Sequence, residues 1–208
     1  MSSHEYHERL WEGVAAGLEP SALDLRLQFL LGHVATGDRA LDVGCGEGRF
    51  AAELARRGVQ VVGIDVAEEP LRRARALHAG LDLRLVQAEG TWPLADSSFD
   101  VVWAGEVIEH VADTAGWLSQ VRRVLRSGGT LLLSTPAHGR LQRLRLGISQ
   151  RAFAAHFDPL GEHLRFYTRD TLTRLLEEFG FEQVDVRGAG GPSWAPGVLL
   201  ARAVRSRF

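Results

Sequence analysis

The chain has 208 residues, 45% of them hydrophobic and 24% charged, with a formal net charge of -2 at pH 7. That balance is expected of one packed globular domain, and it excludes a disordered tail or a collagen-like repeat and gives no sign of a nucleic-acid partner. All 24 basic residues are arginine, which excludes a P-loop NTPase, a protein kinase and a pyridoxal phosphate enzyme, because each needs a lysine.

The longest apolar runs, LLL at 131–133 and GVLLA at 197–201, fall far below the roughly 18 residues of a membrane span. The start, MSSHEYHERLWEG, is polar and acidic where a secretory signal needs a basic and then an apolar stretch, so a cytoplasmic location is expected. Cys45 is the only cysteine, so an intrachain disulfide and a multi-cysteine zinc site are both excluded.

In chain order, Leu23, Leu27, Leu30, Leu31 and Val34 have helical spacing within 21–36, between Pro20 and Gly37. Strands are expected at 39–43, 59–65, 81–86, 99–104 and 130–135, alternating with helices up to Gly58, over 70–80 and over about 113–126. Strands separated by helices of about 10 to 15 residues predict right-handed crossovers and a mostly parallel sheet covered on both faces, hence an α/β class. Residues 136–167 interrupt the alternation without a strand signature and read as an inserted cap. A helix over 168–180, with Thr168 as its N-cap, then leads to strands at 181–187 and 198–204; the short Gly/Pro-rich link between them predicts an antiparallel edge hairpin. The expected organisation is an N-terminal helical lid (1–37), a cofactor-binding core (38–135), the cap (136–167), and a last helix with the hairpin (168–208).

The first strand runs into Gly44-Cys45-Gly46-Glu47-Gly48 directly before a helix. Glycines allow a sharp turn and let the backbone approach a ligand that a Cβ would block; the bland reading is a tight turn and nothing more. Asp65 ends the next strand, 21 residues past Gly44, where a carboxylate can take both ribose hydroxyls of an adenosine. The spacing is G-x-G-x-G, not the dinucleotide G-x-G-x-x-G, and a lysine-free chain cannot carry a Tyr-x-x-x-Lys pair, so a nicotinamide oxidoreductase is disfavoured.

These residues resemble a family. LDVGCGEGRF (41–50) and VVGIDVAEEPLRRAR (61–75) are similar to the first two motifs of class I S-adenosylmethionine-dependent methyltransferases. WPLADSSFDVVWAGEVIEHV (92–111) and LRSGGTLLLSTP (125–136) resemble the family's later segments, in the same order. The resemblance implies a Rossmann-like, seven-stranded sheet and S-adenosylmethionine as cofactor, with S-adenosylhomocysteine as product. It places Gly44 and Gly46 beside the methionine part, Asp42 in support of that loop, Asp65 on the ribose and Val66 on the adenine. Glu89 and Gly90 would meet the adenine edge, although Glu89 lies four positions before Pro93 where the family usually has five. Ala104, Gly105 and Glu106 would flank the amino-acid end, with His110 nearby as a packing or catalytic residue. Tyr6 and Trp11 would belong to a lid over the cofactor, or else anchor a terminal helix.

An activated sulfonium donor leaves the protein chiefly the task of alignment, with a general base useful for a hydroxyl acceptor. His138, His156 and His163 in the cap are the expected candidates. Read as metal ligands, His156 with Asp158 and Glu162 with His163 are the weaker alternative, and no metal is expected. Arg140, Arg143, Arg145 and Arg151 lie in a stretch without acidic residues; they read either as a solvated helix face or as contacts for an anionic small-molecule acceptor, such as a phosphorylated sugar, a carboxylate or a membrane-associated lipid headgroup. The expected activity is O- or N-methylation of a small molecule. A non-catalytic S-adenosylmethionine-binding protein with an interaction cap is the alternative.

Overall fold

A computed structural model describes residues 3–158, 161–192 and 194–207. Helix α1 (Ser3–Gly13) and helix α2 (Leu23–Leu31) precede the alternating core of β1 (Arg39–Val43), α3 (Arg49–Arg56), β2 (Gln60–Asp65), α4 (Glu68–Leu77) and β3 (Asp82–Leu85). Then follow β4 (Phe99–Gly105), a 3-10 turn (Ile108–His110), α5 (Thr114–Val124) and β5 (Leu125–Pro136). The cap forms α6 (Arg140–Ile148) and α7 (Gln150–His156), and the chain closes with α8 (Arg169–Glu178), β6 (Phe181–Ala189) and β7 (Val198–Arg205).

The seven strands are ordered β3-β2-β1-β4-β5-β7-β6. β1 pairs in parallel with both β2 and β4, and β7 inserts antiparallel between β5 and β6. The order reverses between β1 and β4, and at such a switch point the two loops leaving the carboxyl ends diverge and open a crevice.

Strand alternation sorts the core into two layers. Leu41, Val43, Val102 and Ala104 face α5 and α8, packing with Trp117, Leu118, Leu172 and Leu176. Ala40, Val101 and Trp103 face the other way, onto Phe29 and Leu30 of α2 and Phe50 and Leu54 of α3.

Three boundaries differ from the expectation, each for a local reason. α2 stops at Leu31 because Gly32 takes over its end, its N–H donating to the Gln28 and Leu30 carbonyls. α4 begins at Glu68, two residues before Pro70; a proline is tolerated in a first turn, where its missing N–H would have had no helical partner. α5 ends at Val124 and β5 already starts at Leu125, which pairs with Phe99; the register then shifts so that Thr130 meets Val101, and Gly128 is turned out at φ 75°. As expected, Thr168 caps α8, accepting from the Thr171 N–H while the Thr171 hydroxyl receives the Thr168 N–H.

Candidate active site

A cavity of about 350 Å³ opens at the β1/β4 switch point. Gly44 of the glycine loop lines it, and the loop turns through left-handed backbone at Gly44 (φ 66°), Gly46 (φ 52°) and Gly48 (φ 77°), the last two standing outside the lining. The N–H groups of Gly44 and Cys45 both donate to the Ile64 carbonyl, at 2.8 and 3.0 Å, so the loop is pinned to the end of β2. A Cβ on Gly44 would lie 2.6 Å from Cγ2 of Val107, and one on Gly46 would lie 3.1 Å from the Trp11 ring. The glycines are therefore required by packing as well as by dihedral angle.

Asp65 lies beside this loop, buried, and its carboxylate accepts from the Gly46 N–H (2.9 Å) and the Ala67 N–H (3.0 Å). Burial raises its pKa against the pull of these backbone donors. Val66, Val86 and Trp92 continue the wall, and Gln87, Ala88 and Glu89 complete it. Gly90 lines only a small adjoining hollow.

Over the opening lies α1, contributing Tyr6, Leu10 and Trp11 to the lining. Its seat is specific. The Glu8 carboxylate accepts the first backbone N–H groups of α4, from Glu68 and from Glu69 (3.2 Å), and so caps that helix from a distant part of the chain. Arg73 of α4 returns the contact, donating to the Trp11 carbonyl (3.1 Å) and the Val14 carbonyl (2.9 Å) while pairing with Glu47 of the glycine loop (3.2 Å).

At the far end of the cavity stand Glu106 and His110 from the segment after β4, and Glu162 and Leu164 from the cap. Glu106 adopts φ 58°, and its carboxylate accepts from the Ser134 hydroxyl at 2.9 Å. His110 Nδ1 is 3.0 Å from the Glu162 carbonyl oxygen. A carbonyl can only accept, so Nδ1 carries the proton and Nε2 the lone pair. Burial lowers the His110 pKa, with the neighbouring His163 and His7 acting in the same direction. The N–H groups of Leu164 and Arg165 both donate to the Glu109 carbonyl, strapping the cap to the 3-10 turn.

Glu109 itself is 1% exposed; Oε2 accepts from the Thr135 hydroxyl, and Oε1 accepts no hydrogen bond among the described residues, with His110 Nε2 4.0 Å away. Burial, reinforced by Glu106, pushes its carboxyl up to about 8. Ligand atoms of Glu109, His110 and His163 all lie within 4.8 Å of one another, a spacing that a divalent cation could bridge.

The structure gathers Tyr6, Trp11, Gly44, Asp65, Val66, Glu89 and Glu106 around one cavity. Other sequence candidates stand outside its lining. Ala104 is packed in the core, and Gly105 lies beneath the Arg26 guanidinium, where a Cβ would come 2.4 Å from Nη2. Asp42 is buried on the α2/α3 side and takes a backbone hydrogen bond from Ala51 of α3, so it supports the start of that helix. Of the cap histidines, His163 reaches the cavity rim through its ring contact with His110, centroids 4.9 Å apart. His138 and His156 pack on each other at 5.1 Å and on Phe166, with His138 Nδ1 bonded to the Tyr167 carbonyl.

Arg26 was missed by the sequence reading. It is 3% exposed, stacked 5.0 Å from the Phe50 ring, with Nη1 donating to the Ser21 carbonyl and Nε unpartnered among the described residues. Burial lowers its pKa, and Glu106, Glu109 and Asp42 oppose that shift. The available signal was an arginine amid the leucines of LDLRLQFLL.

Burial also pushes the Asp42 carboxyl up to about 8, with Asp65 reinforcing it. The folded protein then holds a proton that the unfolded chain has released above about pH 4, so stability from this group is full at low pH and is lost as pH rises toward 8. Between pH 6 and 8 the melting temperature of the wild type is expected to fall about 5 °C more than that of Asp42→Asn, from about 1.4 kcal/mol per pH unit. Parallel slopes in thermal melts would contradict this.

Fold and site together define a class I S-adenosylmethionine-dependent methyltransferase. The chain belongs to this family: a methyltransferase-domain model matches residues 16–186. A ubiquinone biosynthesis O-methyltransferase of Dinoroseobacter shibae is 39% identical over 158 residues, 73% of this chain and 63% of the relative. The counterpart from Idiomarina loihiensis is 33% identical over 172 residues, 79% of this chain and 70% of that one. The chain thus spans somewhat less than two thirds of the first relative's length. Among solved structures, a methyltransferase of Mesorhizobium loti aligns with a TM-score of 0.67 at 21% identity, over 89% of this chain and 98% of that one. Phosphoethanolamine N-methyltransferase 2 of Haemonchus contortus, in complex with S-adenosyl-L-methionine, aligns with a TM-score of 0.72 at 17% identity, over 99% of this chain and 57% of that one. These two share the fold. Among the described residues no helix is long and apolar enough to cross a membrane.

Proposed function

We propose that this chain transfers the methyl group of S-adenosylmethionine to a hydroxyl oxygen of a small-molecule acceptor. The observation that carries the reading is the joining of Gly44, Asp65 and Glu106 around one cavity at the strand-order switch point. The relatives are O-methyltransferases by name, which favours oxygen over nitrogen. The cavity suits the cofactor: Gly44 offers bare backbone at the lining, where a Cβ would push against Val107 of the same wall, and Asp65 supplies a carboxylate already oriented by two backbone donors.

Bound there, S-adenosylmethionine supplies a methyl group already activated by its sulfonium, so alignment is the main catalytic demand. In this reading Asp65 holds the ribose, Val66 and Trp92 flank the adenine, and Arg26 offsets the carboxylate of the methionine part from behind Gly105. Tyr6, Leu10 and Trp11 of α1 act as the lid and exclude water, with Glu8 and Arg73 keeping the helix seated. His110, neutral and with Nε2 unprotonated, takes the hydroxyl proton as the oxygen–methyl bond forms and the carbon–sulfur bond breaks. S-adenosylhomocysteine is then released.

The test is calorimetric titration with S-adenosylmethionine, followed by transfer of labelled methyl to a panel of phenolic and other hydroxyl acceptors. Micromolar binding with turnover is expected. Binding without turnover on any acceptor would favour the non-catalytic alternative, and NADH should not bind. Running the assay with and without a chelator separates a proton-accepting His110 from one that serves a cation.

A further inference from the structure

Neither α6 nor α7 buries a single residue. α6 exposes Leu141 (55%), Leu144 (60%) and Ile148 (78%). Three positions spaced i, i+3, i+7 fall within an arc of about 60° on a helix, so the stripe faces one direction. On the same helical wheel Arg140 and Arg145 border the stripe on its two sides, and both are exposed. α7 adds exposed Arg151 and exposed Phe153, whose ring lies 4.6 Å from that of exposed Phe157 at a tilt of 46°. Exposed Trp194 belongs to the same end of the molecule, since its carbonyl packs against Gly139 just before α6.

The charge pattern adds to the apolar stripe. Some exposed arginines elsewhere are paired with acids, as in Arg56–Glu53, Arg72–Glu69, Arg75–Glu68 and Arg84–Asp82, while the cap gathers four within twelve residues. Between Gly139 and Phe157 there is no acidic residue, and among the described residues Arg140, Arg143, Arg145 and Arg151 form no ion pair. None of the four lines the cavity, so they are not placed to receive an acceptor inside it.

We propose that the outer face of α6 and α7 is a docking surface for an anionic lipid bilayer. An apolar stripe flanked by arginines is what a helix lying in the plane of an interface requires: leucine and isoleucine enter the acyl boundary while the guanidinium groups meet phosphate headgroups. Nucleic acid would use the arginines but leave the leucines and isoleucine in water. A protein partner large enough to cover the stripe would be expected to offer acids to four arginines, and a second copy of this chain brings the same arginines. The nine-residue helix carries one short apolar stripe, so the docking is reversible. The same segment places Glu162 and Leu164 in the cavity lining, so the docked cap brings the cavity rim close to the membrane surface. The inference stands independently of the acceptor.

The experiment is sedimentation of the full chain with phosphatidylcholine vesicles prepared with and without phosphatidylglycerol. Binding is expected only to the anionic vesicles, weakening as salt rises. The pair Arg140→Gln/Arg145→Gln should weaken it about 25-fold, at about fivefold per arginine, and Leu141→Ser/Leu144→Ser/Ile148→Ser at least about tenfold. An Arg72→Gln/Arg84→Gln control removes the same charge elsewhere and should leave binding unchanged. Affinity for S-adenosylmethionine, unchanged in all three, shows that the variants fold. No binding to anionic vesicles, equal binding to neutral ones, or an equal loss in the control overturns the proposal. So does a lipid-free dimer that the Leu/Ile variant dissolves, because the face would then belong to a second copy.

Discussion

Replacement of Asp65 by alanine is expected to weaken S-adenosylmethionine binding by about 100-fold or more. The carboxylate accepts from Gly46 and Ala67 N–H groups at 2.9 and 3.0 Å, and it lines the cavity. Its loss leaves two backbone donors without their partner and removes the group assigned to the ribose hydroxyls. Hydrogen bonds to a charged group contribute about 1.5–3 kcal/mol each, so losing two contacts to the ligand alone reaches about 3 kcal/mol, a factor above 100. Asp65→Asn keeps one acceptor oxygen and should fall between the two. Calorimetry measures all three; an alanine variant within threefold of wild type would remove Asp65 from the site.

Gly44→Ala is expected to lower the melting temperature by roughly 5–15 °C and to abolish cofactor binding. Two costs combine. A non-glycine residue at φ 66° loses about 1–2 kcal/mol to left-handed backbone, and a Cβ at 2.6 Å from Cγ2 of Val107 adds an overpacking cost of about 1–3 kcal/mol. For a chain of this size each kcal/mol moves the melting point by about 2–4 °C. Gly37→Ala is the matched control, because its φ is also positive, 90°, while a Cβ there meets nothing within 4 Å. It should lose only the backbone part and bind the cofactor normally. Equal effects of the two substitutions would mean that the Val107 contact is not what the loop requires.

α1 shows where local reading stops. Its helix is legible in HEYHERLWEG, but nothing nearby in the chain says that Glu8 will cap α4 sixty residues later, or that Arg73 will hold the Trp11 carbonyl. The cap histidines make the same point. Residue type and position after the fifth strand gave His138, His156 and His163 equal standing, whereas the folded cap stacks the first two on Phe166 and brings only His163 to His110.

What the sequence by itself determined were features written in neighbouring residues. Apolar periods of two and of about 3.6 specified the strands and helices, glycines at 44, 46 and 48 specified a sharp turn, and the acid ending the next strand marked a wall of the cavity. Short right-handed crossovers make the sheet mostly parallel, which is why the fold class was readable; the switch point, where the chain leaves edge strand β3 and returns beside β1 as β4, was not. Tertiary structure alone decided the rest. Arg26 became a buried cation because α2 packs on Trp103 and Phe50; Glu109 lost its solvent because the cap crosses it; and Leu141, Leu144 and Ile148, which helical spacing alone would assign to a core, face outward. Periodicity says that a helix has an apolar face, but which surface that face meets depends on segments far away in the chain.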